Sequence, residues 1–270
     1  MPELPEVETT RRGISPHSEG KQVAELVIRD PRLRWPVPDD LPQRLAGHTL
    51  READRRAKYL LLRFDHGTVI VHLGMSGSLR VITDDSAPTK HDHIDLVFTD
   101  GTRLRFNDPR RFGCWLWDDT PDTHPLLASL GPEPLGADFS GPYLFRRSRN
   151  RRTPIKSFLM DNRIVVGVGN IYANEALFKT GIHPNRPAGR ISAARYHQLC
   201  EAIRETLSAA ILMGGTTLRD FVNSEGKPGY FSQSLLVYGR GGLPCVECQR
   251  PLREVRMNQR STVYCTRCQR

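Results

Sequence analysis

The spacing of apolar residues changes character twice along the chain. Residues from Pro5 to about Gly13 predict a short first helix, with Glu6 and Glu8 near its start, where the helix dipole favours acids. The apolar period then drops to two. Val23, Leu26 and Ile28 mark one strand; Tyr59 to Phe64, Thr68 to Leu73, Ser78 to Ile82, Ile94 to Phe98, Arg103 to Phe106 and Cys114 to Trp117 mark others. Gly67, Gly74, Gly77 and Gly101 punctuate them. A strand roughly every ten residues predicts a β-sandwich in the first half. From Pro121 to Pro154 the chain is rich in Pro, Gly and Arg, which predicts a linker. Beyond it the period is helical. Ser192 predicts an N-cap, Tyr196, Leu199, Cys200, Ile203, Leu207, Ala210 and Ile211 share one face, and Gly214-Gly215 closes the helix. Two shorter helices are expected on either side of Gly167-Val168-Gly169. From about Tyr238 the chain reads as a separate small module, and no internal repeat is visible.

Composition narrows the partners more than the fold. The 270 residues are enough for one large domain or two small ones with ample core. Net charge is +9, and 33 of the 39 basic residues are arginine. Arginine forks onto phosphate and guanine, so the bias suits nucleic acid, although a GC-rich genome produces the same bias. No apolar run approaches the ~20 residues of a membrane span, and no signal peptide is evident. A soluble cytoplasmic or nucleoid protein is the expectation.

Cys245-x2-Cys248 and Cys265-x2-Cys268 stand sixteen residues apart. That spacing fits a zinc site in which each pair supplies two thiolates from one knuckle. Four cysteines close the coordination sphere, so the zinc is expected to be structural. Arg253 to Met257 and Thr262 to Tyr264 suit two short strands around a turn. Cys114 and Cys200 read as ordinary buried cysteines.

The first residues carry a second kind of chemistry. Loss of Met1 would expose the secondary amine of Pro2 beside the Glu3 carboxylate. An α-amino group titrates well below lysine, so more of it is free base near neutral pH, and the free amine is a nucleophile. The residues alone leave this open against a start peptide whose prolines merely set φ before a helix. His91-x-His93 with Asp92 and Asp95 is a weaker metal candidate, without a further ligand group.

Several motifs together resemble the formamidopyrimidine-DNA glycosylase family, bacterial enzymes that excise oxidised purines. The match lies in Pro2-Glu3-Leu4-Pro5-Glu6-Val7-Glu8, Arg55-Arg56-Ala57-Lys58-Tyr59-Leu60, His72-Leu73-Gly74-Met75-Ser76-Gly77, Lys90-His91-Asp92-His93 and Asp108-Pro109-Arg110-Arg111-Phe112-Gly113. It continues through Val166-Gly167-Val168-Gly169-Asn170-Ile171-Tyr172, Gly226-Lys227-Pro228-Gly229-Tyr230-Phe231 and the cysteine module. The motifs follow family order over nearly the whole chain. Leu4 resembles this branch; the sister branch acting on oxidised pyrimidines usually has Gly there.

The resemblance implies an α+β fold: an N-terminal β-sandwich with flanking helices, then a helix-two-turn-helix domain with a zinc finger. The expected boundaries are 1–120, a linker over 121–154, 155–235 and 236–270. It implies a bifunctional glycosylase and AP lyase of base excision repair acting on 8-oxoguanine and formamidopyrimidines. Pro2 resembles the family nucleophile that attacks C1′, Glu3 the general acid/base and Lys58 a second essential basic residue. Arg260 resembles an arginine linked to phosphate contact and δ-elimination. Met75, Arg110 and Phe112 resemble the residues that fill the void left by a flipped nucleotide, although Met75 and Phe112 also suit a core. His91, Arg111, Arg151, Lys156 and Asn170 look like phosphate ligands, and Lys227 and Tyr230 resemble parts of a loop over the extruded base. The expected partner is damaged double-stranded DNA held in a basic cleft by a monomer, with one structural zinc, no organic cofactor and no membrane. Two alternatives stay open: the sister activity on oxidised pyrimidines, and a zinc-finger DNA-binding protein without catalysis.

Overall fold

A computed structural model describes residues 2–215 and 234–270, in two compact units. The first runs to Ala128 and takes in residues 213–215; the second holds Ser129–Leu212 and residues 234–270. Lys227 and Tyr230 lie outside the described residues.

The first unit is a β-sandwich. It opens with helix α1 (Leu4–Ser18), longer than the sequence predicts. Gly13 does not end it, because Ile14 is buried, while Ser15 and Ser18 hydroxyls donate to carbonyls four residues back. Strand β1 (Val23–Ile28) and helix α2 (Leu41–Leu45) follow. Strands β2 (Glu52–Arg56), β3 (Tyr59–Phe64), β4 (Gly67–His72), β5 (Ser78–Ile82), β6 (Asp92–Phe98), β7 (Arg103–Asn107) and β8 (Cys114–Asp118) complete two antiparallel sheets. Their orders are β1-β6-β7-β5 and β2-β3-β4-β8. Leu60, Leu62, Phe64, Val69, Val71 and Trp115 meet Leu79, Ile94, Leu96, Phe98, Leu104 and Phe106 in one core, which Val7 and Ile14 of α1 also enter. Strand β2 is absent from the hydrophobic pattern because Glu-Ala-Asp-Arg-Arg offers only Ala53 to the core.

The suggested His-Asp metal site is instead part of this sandwich. Asp95 and Arg105 face each other across β6 and β7 with bonds of 2.9 and 3.0 Å, and Asp92 is taken by Arg80, Asn107 and Thr89. His93 Nε2 lies 2.9 Å from the Asp108 carbonyl. Those carboxylates already hold cationic and hydrogen-bonding partners, which leaves no ligand set for an ion.

The second unit is helical with a terminal hairpin. The expected linker contains helix α3 (Gly141–Ser148), started by Ser140, whose hydroxyl accepts the Tyr143 amide. It packs on α6 (Ala193–Leu212). Helices α4 (Ile155–Leu159) and α5 (Asn170–Lys179) flank the Gly167–Gly169 stretch as the sequence predicts. Ser192 caps α6, and all seven residues assigned to its inner face are buried. Strands β9 (Arg253–Met257) and β10 (Arg260–Tyr264) form the terminal hairpin.

Candidate active site and metal centre

In the first unit, Pro2 is buried and stands just before Glu3, the N-cap of α1. The Glu3 amide donates to Glu6 Oε2 at 2.8 Å, and the two glutamates form a capping box. Both carboxyl groups are buried, so the helix start holds two acids beside the proline.

Lys58 sits in the two-residue turn between β2 and β3, where Arg56 pairs with Tyr59. Its side chain is buried, with the residue only 8% exposed. Ala57 takes φ 56°, a left-handed geometry that hairpin turns usually give to glycine. His72, at the end of β4, is close enough to Lys58 to feel its charge, and the hydrophobic pattern does not single it out. Its ring lies 4.9 Å from that of Tyr59, and Nδ1 accepts the Gly74 amide at 2.9 Å. Burial first, then the charges of Lys58 and Arg34, bring its pKa down to about 4, so the ring is neutral at ordinary pH.

Met75, Arg110 and Phe112 come together on neighbouring loops. Met75 is 38% and Phe112 45% exposed, which settles their place outside the core. The Arg110 guanidinium carbon lies 4.8 Å above the Phe112 ring. A β-carbon on Gly74 would stand 2.6 Å from the Gly113 nitrogen and 2.7 Å from the Phe112 carbonyl carbon, so the two loops touch through backbone. Buried Asp108 winds the second loop: its carboxylate accepts the amides of Gly113 at 2.7 Å and Arg110 at 3.3 Å. Burial outweighs those bonds and raises its pKa. Half-buried His91 accepts the Asp108 amide on its carbonyl at 3.0 Å. Arg111 is held by Asp30 at 2.8 Å.

The second unit gathers another set. Lys156 is 2% exposed, and its ammonium donates to the Ser261 carbonyl at 2.8 Å and to Thr262 Oγ1 at 2.7 Å. Asn170 Nδ2 donates to the same Ser261 carbonyl at 3.0 Å. As the first residue of α5, Asn170 also presents one of the backbone amides that a helix start leaves for other acceptors. Arg260 is exposed beside the Asn258-Gln259 turn, and with Lys156, Ser157, Met160, Asp161, Met257 and Asn258 it lines a cavity of about 250 Å³. Arg151 is exposed, 5.9 Å above the Phe158 ring, with its Nε bonded to the Arg147 carbonyl. Glu175 and Asn174 have roles that the sequence did not announce. Glu175 accepts the amides of Leu236, Val237 and Tyr238 at 2.8 to 3.0 Å, and Asn174 Oδ1 accepts the Val263 amide at 3.0 Å.

The four module cysteines converge. Their sulfurs all lie within 4.8 Å of one another, with Cys248–Cys265 at 3.4 Å and Cys245–Cys268 at 4.0 Å. A zinc tetrahedron with Zn–S bonds of about 2.3 Å has sulfur edges of roughly 3.8 Å, so the four thiols fit the ion. This is the one group of metal-ligating side chains among the described residues. Val237, Leu252, Val263 and Phe178 pack around it.

Three family models match the chain. The formamidopyrimidine-DNA glycosylase N-terminal domain covers residues 1–115, the H2TH domain of the same enzymes covers 130–222, and a zinc finger found in FPG and IleRS covers 242–270. A curated formamidopyrimidine-DNA glycosylase from Marinobacter nauticus is 70% identical over the full length of both chains. A Lactococcus lactis FPG mutant solved in complex with a Fapy-dG-containing DNA superposes with a TM-score of 0.92 at 33% identity, covering 99% of each chain. The MutM (FPG) protein of Thermus thermophilus gives a TM-score of 0.88 at 41% identity, covering 99% of this chain and 98% of that one.

Proposed function

The chain belongs to the formamidopyrimidine-DNA glycosylase family, and on that premise we propose how its residues act on damaged DNA. The family activity is that of a DNA glycosylase and AP lyase of DNA repair, carried on a DNA-binding fold with a zinc finger. The substrates in our reading are oxidised purines, 8-oxoguanine and formamidopyrimidines, in duplex DNA, excised by a monomer without an organic cofactor at the nucleoid. The observation that supports this best is the N-terminal arrangement of buried Pro2 against the Glu3–Glu6 capping box.

In the proposed sequence the Pro2 amine attacks C1′. The bond from C1′ to the base nitrogen breaks, and the base leaves with a proton that Glu3 helps to deliver. Glu6 holds Glu3 in place through its amide. The attacking amine gives up its N–H proton, and its lone pair then expels the sugar ring oxygen: the C1′–O4′ bond breaks, O4′ takes a proton with help from Glu3, and a charged iminium forms at C1′. That cation withdraws electrons from C2′, whose proton is removed as the 3′ phosphate leaves. A second elimination expels the 5′ phosphate. Lys58, buried in its turn, handles protons or phosphate charge during these steps, and Arg260 holds phosphate for the second elimination.

Exposed Met75, Phe112 and Arg110 fill the space left by the extruded nucleotide, with Arg110 hydrogen-bonding the orphaned base. His91, Arg111, Arg151 and the α5 amide of Asn170 contact phosphate. Lys156 serves that contact by fixing the hairpin on which Arg260 stands. One zinc ion, bound by Cys245, Cys248, Cys265 and Cys268, crosslinks the two knuckles of the finger. Lys227 and Tyr230 are assigned to the damaged base by resemblance.

The test is single-turnover excision from matched duplexes, one set with 8-oxoguanine or formamidopyrimidine and one with oxidised pyrimidines. Faster release of the purines, with strand cleavage on both sides of the site, is expected. Preference for the pyrimidines overturns the substrate assignment, and base loss without strand cleavage overturns the lyase assignment.

A further inference from the structure

We infer that Glu8 and Arg55 form a positioning pair that ties the helix bearing Pro2 and Glu3 to the turn bearing Lys58. Glu8 lies in the second turn of α1 and is 8% exposed; the Arg55 side chain, on β2, is 12% exposed. Arg55 Nε stands 3.2 Å from Glu8 Oε2, and its Nη1 donates to the Ala57 carbonyl at 2.8 Å. One planar guanidinium thus grips the helix with one edge. With the other it grips the peptide group that leads directly into Lys58.

That second contact falls where the backbone most needs it. Ala57 is held at φ 56° in a two-residue loop, a conformation costly for a residue with a β-carbon. Such a turn keeps its orientation only when its surroundings hold it. Arg55 pairs with Leu60 of β3, and its amide donates to Asp54 Oδ1 at 2.7 Å, so the side chain grips Ala57 from a backbone held in the sheet.

Docking of α1 on β2 has a separate support. Arg11 binds Glu8 at 2.8 and 3.0 Å and reaches the Ala53 carbonyl at 3.3 Å. The Arg55 arm to Ala57 therefore adds control of the Lys58 turn, beyond holding helix to strand. Arginine suits this because its donors are fixed in one plane; a lysine ammonium is a point charge on a flexible stem and cannot present two aligned edges.

This inference rests on the reading that Lys58 acts in base release and elimination. Misplacement of a reacting group by about 1 Å costs on the order of a hundredfold in rate. The full-length proteins Arg55→Gln, Arg55→Lys, Glu8→Gln, Lys58→Gln and Arg55→Gln/Lys58→Gln are compared on an 8-oxoguanine duplex. The readouts are the single-turnover rate, the KM and borohydride trapping, with tryptophan fluorescence checking the fold. Arg55→Gln should lose about ten- to a hundredfold in rate with KM within about twofold. Arg55→Lys and Glu8→Gln should fall between it and the parent, and the double variant should be no slower than Lys58→Gln alone. A folded Arg55→Gln protein at parental rate overturns the inference, as do losses for Arg55 and Lys58 that simply multiply. If Arg55→Gln does not fold, Glu8→Gln decides by the same rate criterion. Parental activity in Lys58→Gln instead overturns the role given to Lys58, and the pair's function with it.

Discussion

Acid should weaken the first unit through His72. The side chain is half-buried at the end of β4 with Nδ1 accepting the Gly74 amide, so that nitrogen carries no proton. Burial, then Lys58 and Arg34, lower its pKa from 6.5 to about 4. Between those values the unfolded chain takes up a proton that the folded chain refuses, so stability present above about pH 6.5 is lost as pH falls. By pH 4.5 the loss amounts to about 2–3 kcal/mol, since each pKa unit is worth about 1.4 kcal/mol. His72→Asn removes the titration and keeps an oxygen to accept the Gly74 amide. Trp35, Trp115 and Trp117 are the only tryptophans and all lie in this unit, so their fluorescence follows its unfolding. Urea titrations from pH 7.5 to 4.5 should show the variant gaining about 2–3 kcal/mol relative to the parent. Other titrating groups are common to both proteins and drop out of the difference. Parallel curves over that range would show that His72 does not titrate with a lowered pKa in the folded protein.

Gly74→Ala places a β-carbon 2.6 Å from the Gly113 nitrogen at φ +66°, where only backbone can give way. It should cost about 2 kcal/mol or more, read as a fall in the fluorescence-monitored midpoint; an unchanged midpoint contradicts the contact. Glu175→Gln turns an acceptor of three amides into a group with one acceptor oxygen and an NH2 facing donors. A loss of about 2–4 kcal/mol by circular dichroism in urea is expected, and neutrality would refute the assigned bonds. Chelation that strips zinc should abolish tight duplex binding while the tryptophan-reported unit stays folded. Full affinity in zinc-free protein, measured by fluorescence anisotropy at fixed salt, would sink the structural role of the ion.

Where packing follows period, the sequence was readable. The seven inward residues of α6 recur at helical spacing because they share one buried stripe, and the strands of the sandwich alternate for the same reason. Strand β2 was hidden because its pairing lies in backbone hydrogen bonds, which leave no mark on charged side chains. Helix α3 was hidden because arginines flank its few apolar residues in a Pro- and Gly-rich stretch. Period also cannot tell an exposed aromatic from a buried one, so Phe112 and Met75 needed coordinates. Lys156 resembles a surface cation, yet its partners Ser261 and Thr262 lie more than a hundred residues on. His72, Glu175 and the Glu8–Arg55 pair act through partners brought by tertiary structure, and single polar residues in apolar or charged runs give no signal of that.

Borohydride trapping on a damaged duplex decides whether the Pro2 amine is the nucleophile. Mass spectrometry first establishes that the protein begins at Pro2. Reduction should then leave a covalent protein–DNA adduct that maps to Pro2 and disappears in Pro2→Gly. No adduct from protein that begins at Pro2, or one that persists undiminished in the variant, would rule Pro2 out as the nucleophile.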